Sequence, residues 1–99
     1  MARSSRLESG FQDRLRDELL DMFPGCRIFK MDQIQGIPDM LILYGDKWAM
    51  LENKRSANAH RQPNQEYYVN LFNEMAFAKF IYPENRDEVL DELYLYFNY

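Results

Sequence analysis

Gly36-Ile37-Pro38-Asp39-Met40-Leu41-Ile42-Leu43-Tyr44-Gly45-Asp46-Lys47-Trp48-Ala49-Met50-Leu51-Glu52-Asn53-Lys54 holds two apolar runs around a Gly-Asp dipeptide. That dipeptide suits a two-residue turn with glycine at its first central position, so the segment reads as a β-hairpin. The turn sets the register. With Tyr44 opposite Lys47, Leu43 meets Trp48, and continuing outward Asp39 meets Glu52. Directly opposed residues have Cβ atoms about 4.5 to 5.5 Å apart. Side chains alternate along a strand, which puts Trp48, Met50, Glu52 and Lys54 on one face and Ala49, Leu51 and Asn53 on the other. The hairpin therefore predicts two facing carboxylates at its open end and a lysine beside one of them. Carboxylates that close repel each other unless a cation lies between them. Hard oxygen ligands of this kind suit Mg²⁺ or Mn²⁺.

Upstream, Leu7, Phe11, Leu15, Leu19 and Met22 recur at helical spacing and predict an amphipathic helix of about four turns, with Ser4 and Ser5 as capping candidates. Pro24-Gly25 ends it. Cys26 to Met31 reads as a strand and Asp32 to Ile37 as a loop, Gly36 lying just before the acid. Downstream, Ser56 to Gln62 is polar and irregular, and Pro63 suits the first turn of a second helix, where its missing N–H costs nothing. Gln65, Tyr68, Leu71, Phe72 and Met75 line one side of that helix. Ala78 to Tyr82 reads as a fourth strand ended by Pro83. Asn85 with Glu88 three residues on matches a capping box, opening a last helix whose apolar face is Val89, Leu90, Leu93 and Phe97. The order is helix, three strands, helix, strand, helix. No repeat, low-complexity tract or linker divides it, so residues 1–99 read as a single α/β domain.

Composition narrows the class. Ninety-nine residues, 46% hydrophobic and 28% charged, describe one folded domain. The longest unbroken apolar run is Met40 to Tyr44, and no hydrophobic stretch follows Arg3 and Arg6, so neither a membrane helix nor a signal peptide is expected. The single Cys26 cannot form an internal disulfide and points to a reducing, cytoplasmic setting, with the thiol as core packing. A net charge of −4 weighs against nucleic-acid binding, but its distribution weakens the objection. Residues 84–99 alone carry −4, while residues 47–61 carry +3 through Lys47, Lys54, Arg55 and Arg61 against Glu52. A local basic patch can hold a phosphate backbone on an acidic chain, with marked salt dependence.

With element order and acid positions in view, the chain resembles the PD-(D/E)XK nuclease superfamily, and within it the small stand-alone VRR-NUC nucleases. The residues that carry the resemblance are Gly36, Pro38, Asp39, Glu52, Lys54, Pro63 and Gln65, in an order that extends over about residues 8–82. The resemblance implies a restriction-endonuclease-like αβββαβ core with a mixed four-stranded sheet and an extra C-terminal helix. It implies Asp39 and Glu52 as metal ligands with the backbone carbonyl of Asn53, and Glu8 on the first helix as a further acid. Lys54 would orient the attacking water or stabilise charge on the scissile phosphate, and Gln65 would help position the site. A metal activates water and offsets charge in the transition state, so the protein need supply mainly oxygen ligands and one cation. The candidate DNA contacts are Arg55, His60, Arg61 and Lys79. Two features depart from the family pattern: Asn53 stands where members carry an apolar core residue, and Lys79 alone replaces the arginines usual on the last strand.

The expected function is a Mg²⁺- or Mn²⁺-dependent endodeoxyribonuclease, structure-selective and Holliday-junction resolvase-like by analogy with small stand-alone members, which are often viral. A homodimer would present two active sites to two strands. The alternative is a non-catalytic module that keeps the nuclease fold and binds DNA or a protein; the complete trio with Lys54 argues against it. Each residue also has a plainer reading. Asp39 is a strand-start acid, Glu52 and Lys54 a same-face ion pair, Gln65 a capping residue, and His60 an exposed loop histidine with no cluster around it for zinc. Asp17 and Glu18 read as solvated helix acids. Tyr94, Tyr96, Phe97 and Tyr99 lie among acids and read as core or dimer contacts rather than base-stacking groups.

Overall fold

A computed structural model describes the backbone of residues 3–99 and the side chains of residues 10–99. The elements are α1 (Arg3–Met22), β1 (Arg27–Lys30), β2 (Met40–Tyr44), β3 (Lys47–Asn53), α2 (Pro63–Met75), β4 (Ala78–Ile81) and α3 (Arg86–Asn98). The four strands form one sheet in the order β1-β2-β3-β4. β1–β2 and β2–β3 are antiparallel and β3–β4 is parallel, so the sheet is mixed. A parallel pair needs a crossover, and α2 provides it. The hairpin takes the expected register, Tyr44↔Lys47 through Met40↔Leu51, around Gly45 at φ 62°.

Strand alternation sorts the core into two layers. Met40, Ile42, Ala49, Leu51 and Ile81 face α1 and α3, where Leu15, Leu19, Phe23 and Leu93 are almost fully buried. Met50, Ala78 and Phe80 face the other way, against Val69 and Phe72 of α2. The result is a sheet covered on both sides. Among the described residues no helix is long and apolar enough to cross a membrane.

Several local expectations change. α1 begins at Arg3, so Ser4 and Ser5 lie inside the helix rather than capping it. Cys26 and Met31 flank β1 instead of belonging to it, and β4 stops at Ile81. Asn85 makes no capping bond to α3. Its carboxamide turns back, accepting from the Tyr82 N–H (2.9 Å) and donating to the Phe80 carbonyl (3.0 Å), which fastens the turn after β4. The Glu18 side chain is solvent-accessible as expected, and it also pairs with Arg86, tying α1 to the start of α3. α3 is half of the cover over one sheet face rather than an appendage, since Val89, Leu90, Leu93 and Phe97 are all buried. Tyr94, Leu95 and Tyr99 remain exposed on its outer side.

Cys26 is 5% exposed and its thiol donates to the Leu19 carbonyl (3.8 Å). Burial pushes the thiol pKa up. The folded state therefore holds the thiol proton more tightly than the unfolded chain does. The stabilisation is complete below the unfolded thiol's pKa and is lost as pH rises through the folded one. At mildly alkaline pH, a soluble thiol reagent is expected to modify Cys26 at least about 100-fold more slowly in the folded protein than in urea-unfolded chain. Comparable rates would contradict the burial.

Candidate functional site

Glu52 and Lys54 leave the end of β3 on the α2 side, as alternation requires, and both are buried, at 5% and 9% exposure. A charge taken out of water needs partners close at hand. Gln65 supplies them. Pro63 starts α2, which sets Gln65 in its first turn beneath the Gln62 cap. Gln65 Oε1 accepts from the Gln62 N–H (2.9 Å) and from Lys54 Nζ (2.8 Å), while its Nε2 donates to Glu52 Oε2 (3.1 Å). Two donors on Oε1 fix which way the amide points. Lys54 Nζ also donates to the His60 carbonyl (3.0 Å) and lies 3.9 Å from Glu52 Oε2.

Asp39 is held from the other side of the sheet. Its Oδ1 accepts from Asn53 Nδ2 (2.8 Å) and the Asn53 N–H (3.3 Å), and its Oδ2 from Gln12 Nε2 (3.2 Å) on α1. The Met31 N–H donates to the Asp39 carbonyl (2.8 Å), so the β1–β2 ladder reaches Asp39 although β2 begins at Met40. Asn53 is 0% exposed. The polar residue in an apolar position is thus explained: it enters the core and orients Asp39. Its own Oδ1 is buried without a hydrogen-bond partner.

Asn53→Leu would remove both that orphaned oxygen, worth about 1–3 kcal/mol, and a hydrogen bond to a carboxylate, worth about 1.5–3 kcal/mol. Stability is expected to stay within about 1 kcal/mol of wild type because the two nearly cancel. Any activity that uses Asp39 as a ligand is expected to fall about 10- to 100-fold, as for lost outer partners of metal ligands. Thermal melts together with metal titrations of the rate check this; a large loss of stability with unchanged activity would make Asn53 purely structural.

The observed β2–β3 register ends at Met40↔Leu51; one pair further would set Asp39 opposite Glu52, and the next would set Pro38 opposite Asn53. Proline has no N–H, so the facing strand offers no donor to the Asn53 carbonyl. The donor set of two carboxylates and this carbonyl fits a hard divalent cation. The N–H groups of Asn53 and the Gln12 amide orient the Asp39 carboxylate. Among the described residues no three His, Cys, Asp or Glu side chains are grouped to hold a metal. The side chain of Glu8, the third acid expected, lies outside the described residues.

Gly36 delivers this segment to α2. Its φ is +93°, and a Cβ there would lie 2.4 Å from the Asn64 Cβ and 3.1 Å from the Asn64 carbonyl carbon. Only a glycine permits that approach, which brings the chain leading to Pro38 and Asp39 against the turn that carries Gln65.

The expected basic patch is partly dispersed. Arg61 lies over the Phe80 ring at 3.9 Å, and Phe80 pairs with Glu52, so this guanidinium is at the site. Arg55 is exposed just beyond Lys54. The ring of His60 is exposed too, and the contribution of this residue is its carbonyl. Lys79 pairs with Leu51, which faces α1 and α3, and its Nζ is 5.9 Å from the Phe77 ring centroid; it is not brought to Glu52. Lys47 sits at the opposite end of β3, where it donates to the Tyr96 carbonyl (2.8 Å) near the C-terminus of α3. Gln12 escaped the sequence reading; its one signal is a polar residue beside the buried Phe11, at the border of the apolar stripe. Comparison with protein-family models, curated proteins and solved structures finds no match for this chain.

Proposed function

We propose that the chain is a metal-dependent endodeoxyribonuclease, selective for branched DNA in the manner of a Holliday-junction resolvase and acting as a homodimer. The observation that carries this reading is the Gln65 amide, which joins Glu52 to Lys54 at the sheet end where Asn53 orients Asp39. Asp39, Glu52 and the Asn53 carbonyl would hold Mg²⁺ or Mn²⁺. The ion would supply an acidified water and positive charge opposite the scissile phosphate. Lys54 keeps a fixed cation beside these ligands. Two of its three ammonium protons are used at 2.8 and 3.0 Å, and among the described residues the third is engaged only by the 3.9 Å approach to Glu52. That proton is available to a water or a phosphate oxygen. Gln65 holds Lys54 and Glu52 in one geometry before substrate arrives, which is how fixed polar groups lower a barrier.

Purified protein is to be incubated with a labelled four-way junction, a linear duplex and a single strand, in Mg²⁺, Mn²⁺ or EDTA. Cleavage is expected only with metal and most strongly on the junction; cleavage in EDTA would overturn the mechanism. Light scattering that gives a monomer at working concentration would remove the two-strand resolvase.

A second reading is a non-catalytic module that binds DNA or a protein. It is favoured by the internal satisfaction of Glu52 and Lys54 through Gln65, which would persist with no substrate. Binding of DNA without cleavage under every metal condition would select it.

A further inference from the structure

The basic residues that the site needs are not all in the loop after Lys54. We propose that the cavity between α1 and β1 beside Asp39 is a backbone-phosphate subsite for DNA, with Arg16 and Lys30 as its cations. The inference rests on the nucleic-acid reading above and extends it to the path of the strand. The cavity has a volume of about 180 Å³ and is lined by Gln12, Asp13, Arg16, Lys30, Asp39 and Met40.

Three facts converge on it. Lys30 pairs with Met40 in the β1–β2 register, and Met40 faces α1, so alternation turns Lys30 toward the helix. Arg16 lies one turn after Gln12, on the same stripe of α1, and Gln12 touches Asp39. Arg16 and Lys30 are exposed, and neither belongs to an ion pair among the described residues. The two cations therefore flank a carboxylate whose oxygens already receive N–H donors from Asn53 and Gln12.

The charge balance chooses the ligand. Among the described residues Asp13 is the one other acid on the wall. Arg16 and Lys30 match Asp13 and Asp39 in number, and a divalent cation on Asp39 would leave a positive excess that favours an anion. A guanidinium fork beside an ammonium matches phosphate oxygens. The track continues along the sheet edge, because Arg16 also lines the adjoining recess with Arg27. β1 has no strand beyond it, so the groove is open to a long polymer.

The test uses the full chain, as wild type, as the double variant Arg16→Ala/Lys30→Ala, as the charge reversal Arg16→Glu, and with Arg14→Ala as an off-groove control. DNA affinity is measured in EDTA by fluorescence anisotropy over a range of salt, and KM and kcat are measured with Mg²⁺. The double variant is expected to bind at least about 10-fold more weakly at low salt. Its slope of log K against log salt should become shallower by about one for each phosphate that the variant no longer neutralises. KM should rise with kcat little changed. Arg16→Glu should weaken binding further, Arg14→Ala should not alter the slope, and melting temperatures should stay unchanged because the replaced side chains are exposed.

Equal affinity and slope in wild type and double variant overturn the subsite while leaving the nuclease reading intact. Wild type that binds but never cuts, with binding abolished in the double variant, supports the subsite and removes the catalytic reading. Wild type that binds no DNA overturns both. A titration with inorganic phosphate separates the ligand's source: phosphate binding abolished in the double variant with DNA binding unchanged would assign the cavity to a free anion and overturn the DNA assignment.

Discussion

Lys54→Ala is expected to lower metal-dependent cleavage by at least about 100- to 1,000-fold, the usual cost of removing one fixed charge-stabilising donor. DNA binding should fall far less, because one buried ammonium contributes little to a polyelectrolyte interface compared with exposed arginines. The substitution also removes the Lys54 ammonium beside the buried Glu52, takes one of two donors from Gln65 Oε1 and removes the Lys54 donor to the His60 carbonyl. Breaking a buried pair from one side costs about 3–5 kcal/mol, so the rate must be read beside a melting curve. Lys54→Met keeps the volume of the stem and separates loss of charge from loss of packing. A folded Lys54→Met protein that cleaves at the wild-type rate would end the proposed role of the lysine. A folded variant that binds DNA but does not cut it is the expected result.

Gly36→Ala is expected to be the most destabilising single-methyl change in the chain. The left-handed backbone costs an alanine about 1–2 kcal/mol. The added Cβ would also lie 2.4 Å from Asn64 Cβ, with backbone atoms of Asn64 close behind, so the loop or the start of α2 must shift. Overpacking of that kind adds about 1–3 kcal/mol. For a domain of this size the sum corresponds to a drop in melting temperature of about 10 °C or more. Gly45→Ala is the matched control: its φ is +62°, but nothing lies within 4 Å of the added Cβ, so only the backbone cost applies. Equal melting temperatures for the two variants would show that the approach to Asn64 does not matter. Any activity should also fall more in Gly36→Ala than stability alone accounts for, because the displaced segment is the one that delivers Asp39.

Much of the site's frame could be read in the chain because its causes are local. A Gly-Asp turn fixes which residues oppose each other, and strand alternation fixes which share a face. Glu52, Lys54 and the hairpin register therefore followed from residues 36–54 without knowledge of the rest. Pro63 marked the start of α2 for an equally local reason, the tolerance of the first helical turn for a missing N–H. Local chemistry misled where a residue had a choice of partners. Asn85 and Glu88 fit a capping pattern, yet the Asn85 amide serves the preceding turn. Lys47 shares a strand with Glu52 and Lys79 lies on the neighbouring strand, yet Lys47 sits at the far end of β3 and alternation turns Lys79 to the face opposite Glu52.

Sequence alone thus determined the order of elements, the hairpin register from Tyr44↔Lys47 to Met40↔Leu51 and the shared face of Glu52 and Lys54, because turn geometry and side-chain period act over a few residues. Only the tertiary structure decided that Gln65 joins Glu52 to Lys54, that Gln12 and Asn53 orient Asp39, and that Arg16 and Lys30, rather than Lys47 or Lys79, line the cavity beside Asp39. Those contacts join separate layers of the fold. They depend on how α1 and α2 are seated on opposite faces of the sheet, which no local period encodes.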